Sequence, residues 1–153
     1  MRLLNIVLGV IVTVALAGCS KSNKGCTSTT PAEDDAKMLT YIAANGITAT
    51  KHSSGLYYQI IDPGTGATPT LSSNVTVKYT GKLTDNSVFD SSPSVAFPLG
   101  NLIVGWQIGI PLIKKGGKIK LVIPPYLGYG CEANGPLPQN AVLFFDIELL
   151  DVK

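Results

Sequence analysis

The chain has 153 residues, 45% of them hydrophobic, with twelve Lys and Arg against ten Asp and Glu for a formal net charge of +2. So even a balance excludes the basic footprint that nucleic acid or another polyanionic partner requires. One histidine, His52, and three cysteines without CxxC or Cys/His spacing offer no zinc set, and there is no Walker loop or dinucleotide fingerprint, so neither metal nor cofactor is expected.

Arg2 is followed by an apolar run from Leu3 to Ala17, broken only by Asn5 and Thr13, that ends in Leu16-Ala17-Gly18-Cys19. A membrane span needs about 20 apolar residues. A shorter run closed by small residues is what a signal peptide needs. The Leu-Ala-Gly-Cys ending resembles the bacterial lipoprotein box. That resemblance implies a signal peptide over residues 1–18, cleavage before Cys19 and a lipid on the Cys19 sulfur. Ser20 stands where an aspartate would hint at inner-membrane retention. The expected location is therefore the cell envelope, lipid-anchored at the periplasmic face of the outer membrane.

Residues 19–30 are rich in Ser, Thr, Lys and Gly, lack an apolar period and read as a flexible tether. Thr30-Pro31-Ala32-Glu33 then writes a helix start. Thr30 caps, Pro31 fits the first turn and Glu33 completes a capping box. Met38, Leu39, Ile42 and Ala43 make a narrow apolar stripe, and Asn45-Gly46 stops a helix over residues 31–46. Docking on the domain is its expected role, with pairing between copies as the alternative. With Cys19 lipidated, Cys26 and Cys131 remain. An oxidising compartment permits a bridge between them, but a tether and a loop leave its geometry open.

From Gly55 the chain is mostly β. Leu56 to Ile61 alternates and ends at Asp62-Pro63-Gly64. Val75, Val77 and Tyr79 share one strand face. Asp85-Asn86 marks a hairpin-like turn into Val88-Phe89. Leu102 to Leu112 is too broken by Gly and Pro for more than one short helical turn. Lys114 to Lys118 turns into Ile119, Leu121 and Ile123. Leu143, Phe145, Ile147 and Leu149 alternate with Phe144, Asp146 and Glu148. Antiparallel strands with one short helix predict an α+β fold in which a curved sheet, a half-barrel, wraps the helix, with the N-terminal helix as an addition.

Residues 122–150 join an apolar strand, Pro124-Pro125, Leu127-Gly128-Tyr129-Gly130, Pro136-Leu137-Pro138 and a closing strand with Leu143-Phe144-Phe145-Asp146. This block resembles the C-terminal half of the FKBP-type peptidyl-prolyl cis/trans isomerases. Val77-Lys78-Tyr79-Thr80-Gly81, Phe89-Asp90-Ser91-Ser92 and Leu102-Ile103-Val104-Gly105-Trp106 resemble further motifs of that family, so the likeness covers residues 53–151. Each aromatic alone is no more than core. Their joint occurrence in this order carries the resemblance.

The resemblance implies a fold of this α+β kind and a site residue by residue. Tyr79 lines a pocket, Phe89 and Phe145 form walls, and Trp106 forms the floor. Asp90 sets polarity near a substrate carbonyl, and the Ile103 N–H receives such a carbonyl. Tyr129 offers its hydroxyl, Phe97 and Leu102 border the cleft, and Leu137 covers the rim. The implied activity is cis/trans exchange at Xaa-Pro bonds of unfolded or flexible polypeptides, with a macrolide as a weaker expected ligand. A non-catalytic peptide-binding or holdase module using the same pocket is the alternative. Two departures stand out. The family's run after the FDSS motif is often longer and carries a basic residue, whereas here Pro93-Ser94-Val95-Ala96 reaches Phe97 at once. Gln139 also stands where a second proline is frequent.

Overall fold

The computed structural model describes residues 25–153. The expected signal peptide, the Cys19 lipidation site and the start of the tether lie outside the described residues.

Among the described residues, two helices and six strands form. They are α1 (Pro31–Ala44), β1 (Thr50–Lys51), β2 (Tyr57–Asp62), β3 (Asn74–Lys82), β4 (Val88–Pro98), α2 (Val104–Gly109), β5 (Lys118–Ile123) and β6 (Leu143–Val152). Three short 3-10 turns, at Leu99–Asn101, Ile110–Leu112 and Pro125–Leu127, link them. All pairings are antiparallel, and the sheet order is β1-β2-β5-β6-β3-β4. The two longest strands after β4, β3 and β6, thus lie beside each other and carry the centre of the site.

Alternation decides the two faces of the sheet. Val75, Val77 and Tyr79 of β3, Ile119, Leu121 and Ile123 of β5, and Leu143, Phe145, Ile147 and Leu149 of β6 all point into one core. α2 covers that face, and two glycines explain how it lies so close. A Cβ at Gly105 would fall 2.6 Å from Ile123 side-chain atoms, and one at Gly109 would fall 2.6 Å from Leu121. Glycine at these i and i+4 positions gives the helix a flat contact side. Trp106, one residue beyond Gly105, is thereby placed against the sheet, 4% exposed.

The opposite face is covered at one end by α1. Met38, Tyr41 and Ile42 of the helix, with Ile47, pack on Tyr57, Val122, Val142 and Phe144. The Tyr41 and Phe144 rings lie 5.4 Å apart. The stripe read from sequence is therefore rotated. Tyr41 faces inward, while Leu39 is 47% exposed and Ala43 is exposed. A tyrosine pays little for burial here because its hydroxyl reaches Asn86 Oδ1 at 3.0 Å. The helix start forms as expected: Glu33 N–H donates to Thr30 Oγ1 at 3.3 Å, and Thr30 N–H to Glu33 Oε2 at 2.8 Å. Its last residue is Ala44, with Asn45 as cap and Gly46 at φ 61° completing the stop.

Residues 26–30, read from sequence as the end of a tether, are held against the body. Cys26 is disulfide-bonded to Cys131, and the backbone of Thr27 and Thr29 is hydrogen-bonded to the Asn140 side chain.

Candidate active site

β3 and β4 are joined by the Leu83–Ser87 turn, with Asn86 at φ 67°. Their pairing runs from Val88 to Pro98 with two irregularities, one between Gly81 and Lys82, where Phe89 is left unpaired, and one between Val77 and Tyr79. Val77 faces Val95 and Tyr79 faces Ser92, so one extra residue bulges from β4 around Pro93-Ser94. The stretch that departs from the family pattern is therefore continuous strand with a bulge. Its geometry keeps Phe97 and Asp90 on the same wall.

A cavity of about 230 Å³ opens between this wall, α2 and the loop after β5. It is lined by Tyr79, Asp90, Phe97, Leu102, Ile103, Trp106, Tyr129 and Phe145. Eight of the ten residues expected in the site from sequence thus meet at one hollow. They come from β3, β4, the turn into α2, α2 itself, the loop after β5, and β6. Sites for drug-sized ligands run to about 300–1,000 Å³. This hollow therefore suits a side chain or a single ring rather than a large cofactor.

The floor is built from perpendicular rings. Trp106 stands edge-on to Tyr79 (centroids 5.1 Å, 85°), Phe145 (5.1 Å, 86°) and Phe97 (6.5 Å, 80°). Each such contact adds about 0.5–1.5 kcal/mol beyond area burial. The Trp106 indole N–H is buried and has no acceptor among the described residues. An orphaned donor of this kind costs about 1–3 kcal/mol.

Two expected residues lie elsewhere. Phe89 is not part of the lining; it packs behind Phe145 at 5.5 Å and 82°, and supports that wall from outside. Leu137 does not cover the rim. It is 5% exposed and belongs to the core, at the end of a small bridge in which Asn134 and Leu137 exchange backbone bonds of 2.9–3.0 Å. A leucine between two prolines reads as surface in the sequence, but the bridge folds it inward.

Asp90 is the one charged side chain in the lining among the described residues. The Tyr79 hydroxyl donates to Asp90 Oδ2 at 2.6 Å. Burial above all, then this bond and the Asp90 charge, push the Tyr79 hydroxyl well above the usual tyrosine range. Tyr79 thus stays a donor. Tyr129 stands on the other side, 44% exposed. Its hydroxyl has no partner among the described residues and is pushed up by burial and then by the Asp90 charge. Ile103 precedes α2. Its carbonyl accepts the Trp106 and Gln107 N–H groups at 2.9 and 3.2 Å, while its own N–H has no acceptor among the described residues. The hollow is thus apolar below and carries a free hydroxyl, a free N–H and a fixed carboxylate at its mouth.

Two supporting residues were not legible as site residues. Gly81 carries no side chain where a Cβ would lie 2.7 Å from Phe89 and 2.9 Å from Phe145. Gln107 donates from Nε2 to the Leu102 carbonyl at 2.7 Å and the Gly100 carbonyl at 3.2 Å, bracing the segment that carries Ile103. Gly81 closes the Val77-Lys78-Tyr79-Thr80-Gly81 motif, so its position was available as a signal. Gln107 carries no such signal.

A larger hollow of about 330 Å³ lies over the outer strand face and includes Lys78, Thr80, Lys82, Lys118, Asp146 and Glu148. Lys118 and Glu148 pair there at 3.7 Å, both partly exposed. Phe144 and Tyr79 also line it, but its polar groups are solvated charges facing one another rather than fixed groups that orient a ligand.

Residues 66–150 match the family described as FKBP-type peptidyl-prolyl cis-trans isomerase. The chain is similar to the FKBP-type peptidyl-prolyl cis-trans isomerase FkpA of Escherichia coli, at 49% identity over 105 residues, covering 66% of this chain and 39% of that protein. The crystal structure of FkpA from Escherichia coli superposes with a TM-score of 0.72 at 43% identity, over 80% of this chain and 61% of that one. That of a peptidyl-prolyl cis-trans isomerase from Pseudomonas syringae pv. tomato superposes with a TM-score of 0.69 at 30% identity, over 83% of this chain and 98% of that one. This chain spans less than half the length of the curated relatives it matches.

Proposed function

This chain belongs to the FKBP-type peptidyl-prolyl cis-trans isomerase family, and from that premise we propose that it accelerates cis/trans exchange at Xaa-Pro bonds of unfolded or flexible polypeptides. The observation that carries the proposal is the small hollow floored by Trp106 and walled by Tyr79, Phe97 and Phe145.

The uncatalysed bond rotates over a barrier of about 18–20 kcal/mol and relaxes in roughly tens to hundreds of seconds. No bond between heavy atoms is broken. Amide resonance places negative charge on the carbonyl oxygen, and water favours it. A proline seated on Trp106 brings its amide into an apolar surround, where that resonance is less well solvated. The twisted amide has a more ketone-like carbonyl and a pyramidal nitrogen. Contacts that fit it better than either planar form lower the barrier, and each ~1.4 kcal/mol is tenfold in rate. Tyr129 and the Ile103 N–H are the free donors that fix the flanking carbonyls. Asp90, held by Tyr79, faces the carbonyl carbon whose charge changes in the twist.

The test is NMR exchange spectroscopy on a proline peptide with the purified chain. Faster cis/trans exchange supports the proposal. Line broadening from binding with no gain in exchange would instead assign the hollow to a peptide-holding module. A macrolide that displaces the peptide would locate the binding at the same hollow.

We further propose that the chain works outside the cytoplasm, anchored through lipid on Cys19. The Cys26–Cys131 bridge supports this, since disulfides persist in oxidising compartments. Mass spectrometry of Cys19 in the membrane fraction tests it. An unmodified Cys19 on a chain recovered from the soluble fraction would reject it.

A further inference from the structure

The loop after β5, residues 124–142, is held from outside by the segment that precedes α1. Cys131 is bonded to Cys26 with Cα atoms 5.6 Å apart, across 105 positions of sequence. Asn140, at φ 53°, accepts the Thr29 N–H on Oδ1 at 3.1 Å and donates from Nδ2 to the Thr27 carbonyl at 2.9 Å. Thr29 Oγ1 donates at 2.6 Å to Asp34 Oδ1, and Asp34 is 1% exposed at the start of α1. The segment is therefore tied at one end to α1 and along its length to the loop.

Tyr129 lies two positions before Cys131 in this loop. Gly130, at φ 73°, separates them, and the Gly128 and Gly130 N–H groups both donate to the Pro125 carbonyl, at 2.9 and 2.8 Å. The Tyr129 side chain makes no hydrogen bond of its own within the described residues and is 44% exposed. Its position at the mouth of the hollow is thus inherited from the backbone of the loop. That backbone is fixed on the Pro125 side by the turn and on the far side by the covalent bridge.

We propose that the Cys26–Cys131 bridge is a positioning device for Tyr129 and that a dithiol reductant releases it, so that the redox state outside the pocket sets the pocket's rim. This rests on the isomerase reading above. Cys26 and Cys131 are each partly exposed, so a reductant can reach them. Its thiolate attacks one sulfur and the other sulfur leaves as a thiolate. The reductant's second thiol then displaces the first cysteine. Two electrons pass to the protein, two protons end on Cys26 and Cys131, and the reductant leaves as its own disulfide. The Asn140 and Asp34 bonds remain, so the segment stays near but loses its covalent hold. A Tyr129 presented correctly for only part of the time lowers apparent affinity by that fraction. The loss falls in KM rather than kcat if Tyr129 grips ground and transition states alike.

The test compares NMR-monitored isomerisation of a proline peptide by the oxidised chain, by the dithiothreitol-reduced chain and by the Cys26→Ser/Cys131→Ser variant. Expected are a fall in kcat/KM of about threefold to tenfold, carried by KM, and faster amide exchange in residues 127–133. In a Tyr129→Ala background, reduction should change kcat/KM by less than about twofold, because the group it acts through is gone. Unchanged kinetics and unchanged loop exchange on reduction would overturn the proposal. An equal loss in the Tyr129→Ala background would overturn it too, since it would mean general loosening. If the oxidised chain shows no activity, the isomerase reading fails on its own, and loop exchange on reduction then decides for or against the clasp.

Discussion

Tyr79 of β3 and Asp90 of β4 are joined on the diagonal of the strand pair. In register Tyr79 faces Ser92 and Asp90 faces Gly81, yet the Tyr79 hydroxyl reaches Asp90 Oδ2 at 2.6 Å. Diagonal neighbours are about 7–8 Å apart at Cα, a gap that a tyrosine spans and a shorter side chain does not. The bare Gly81 opposite Asp90 leaves the path open. Asp90 lacks the basic neighbour that the family often provides after this motif, and Tyr79 supplies a donor instead. The Asp90 side chain is thereby oriented at the cleft by a hydroxyl donor.

Replacing either partner should separate orientation from charge. Tyr79→Phe keeps the ring on Trp106 and removes only the donor. A hydrogen bond to a charged group contributes about 1.5–3 kcal/mol, and the exposed Asp90 recovers part of that from water, so stability should fall by about 1 kcal/mol. kcat/KM for a proline peptide should fall by about threefold to tenfold as the carboxylate loses its direction. Asp90→Ala should cost more activity and less stability. NMR exchange and urea midpoints read the two effects. Wild-type rates in both variants would remove Asp90 from the mechanism.

The same pair sets an alkaline dependence. The Tyr79 hydroxyl titrates above its usual range, chiefly through burial and then through the bond to Asp90. A group whose folded pKa is raised contributes stability that is complete below its unfolded pKa, about 10 for tyrosine, and is lost as pH rises beyond it. Stability should therefore be insensitive to this group at neutral pH and should decline above about pH 10. Tyr79→Phe should flatten that decline. Part of it should persist, because burial raises Tyr41 and Tyr57 as well. Urea midpoints from pH 8 to about 11 check this, and an identical alkaline slope in the variant would contradict it.

Gly81→Ala should close the hollow from behind. Its Cβ would lie 2.7 Å from Phe89 Cζ and 2.9 Å from Phe145 Cε1. The atoms it meets are ring tips, and Phe145, which also touches Trp106, should turn toward the hollow. Overpacking of this kind costs about 1–3 kcal/mol. KM for the peptide should rise more than kcat falls, because the loss is of room. Trp106, the chain's one tryptophan, reports the shift in its emission. Unchanged emission and KM would mean that the wall gives way outward.

Much of this was legible in the sequence because alternation and capping are local. Val75, Val77 and Tyr79, or Leu143, Phe145, Ile147 and Leu149, declare one buried face by spacing alone, and Thr30 to Glu33 declare a helix start. The site was legible only through ordered motifs, since no single aromatic announces convergence. What stayed hidden depends on tertiary contacts. Leu39 and Tyr41 exchanged roles because the side of α1 that is buried depends on where Phe144 and Val122 lie. Leu137 turned inward through a bridge only two residues wide. Phe89 became a support because the register shift at Lys82 leaves it unpaired and packed on Phe145. The pinning of residues 26–30 needed Asn140, more than a hundred positions away.

Gln107 acts only through the backbone it braces. Its Nε2 donates to the carbonyls of Leu102 and Gly100, which belong to the turn that delivers the Ile103 N–H. Gln107→Leu should fold, lose about 1 kcal/mol and slow peptide exchange by roughly twofold to fivefold. Gln107→Glu should be worse at neutral pH, since a carboxylate cannot donate and repels both carbonyl oxygens. Protonation restores one donor, so its activity relative to wild type should recover on acidification toward the glutamate pKa of about 4.3. That reversal distinguishes bracing from mere loss of side-chain volume, which would leave Gln107→Glu no worse than Gln107→Leu at any pH.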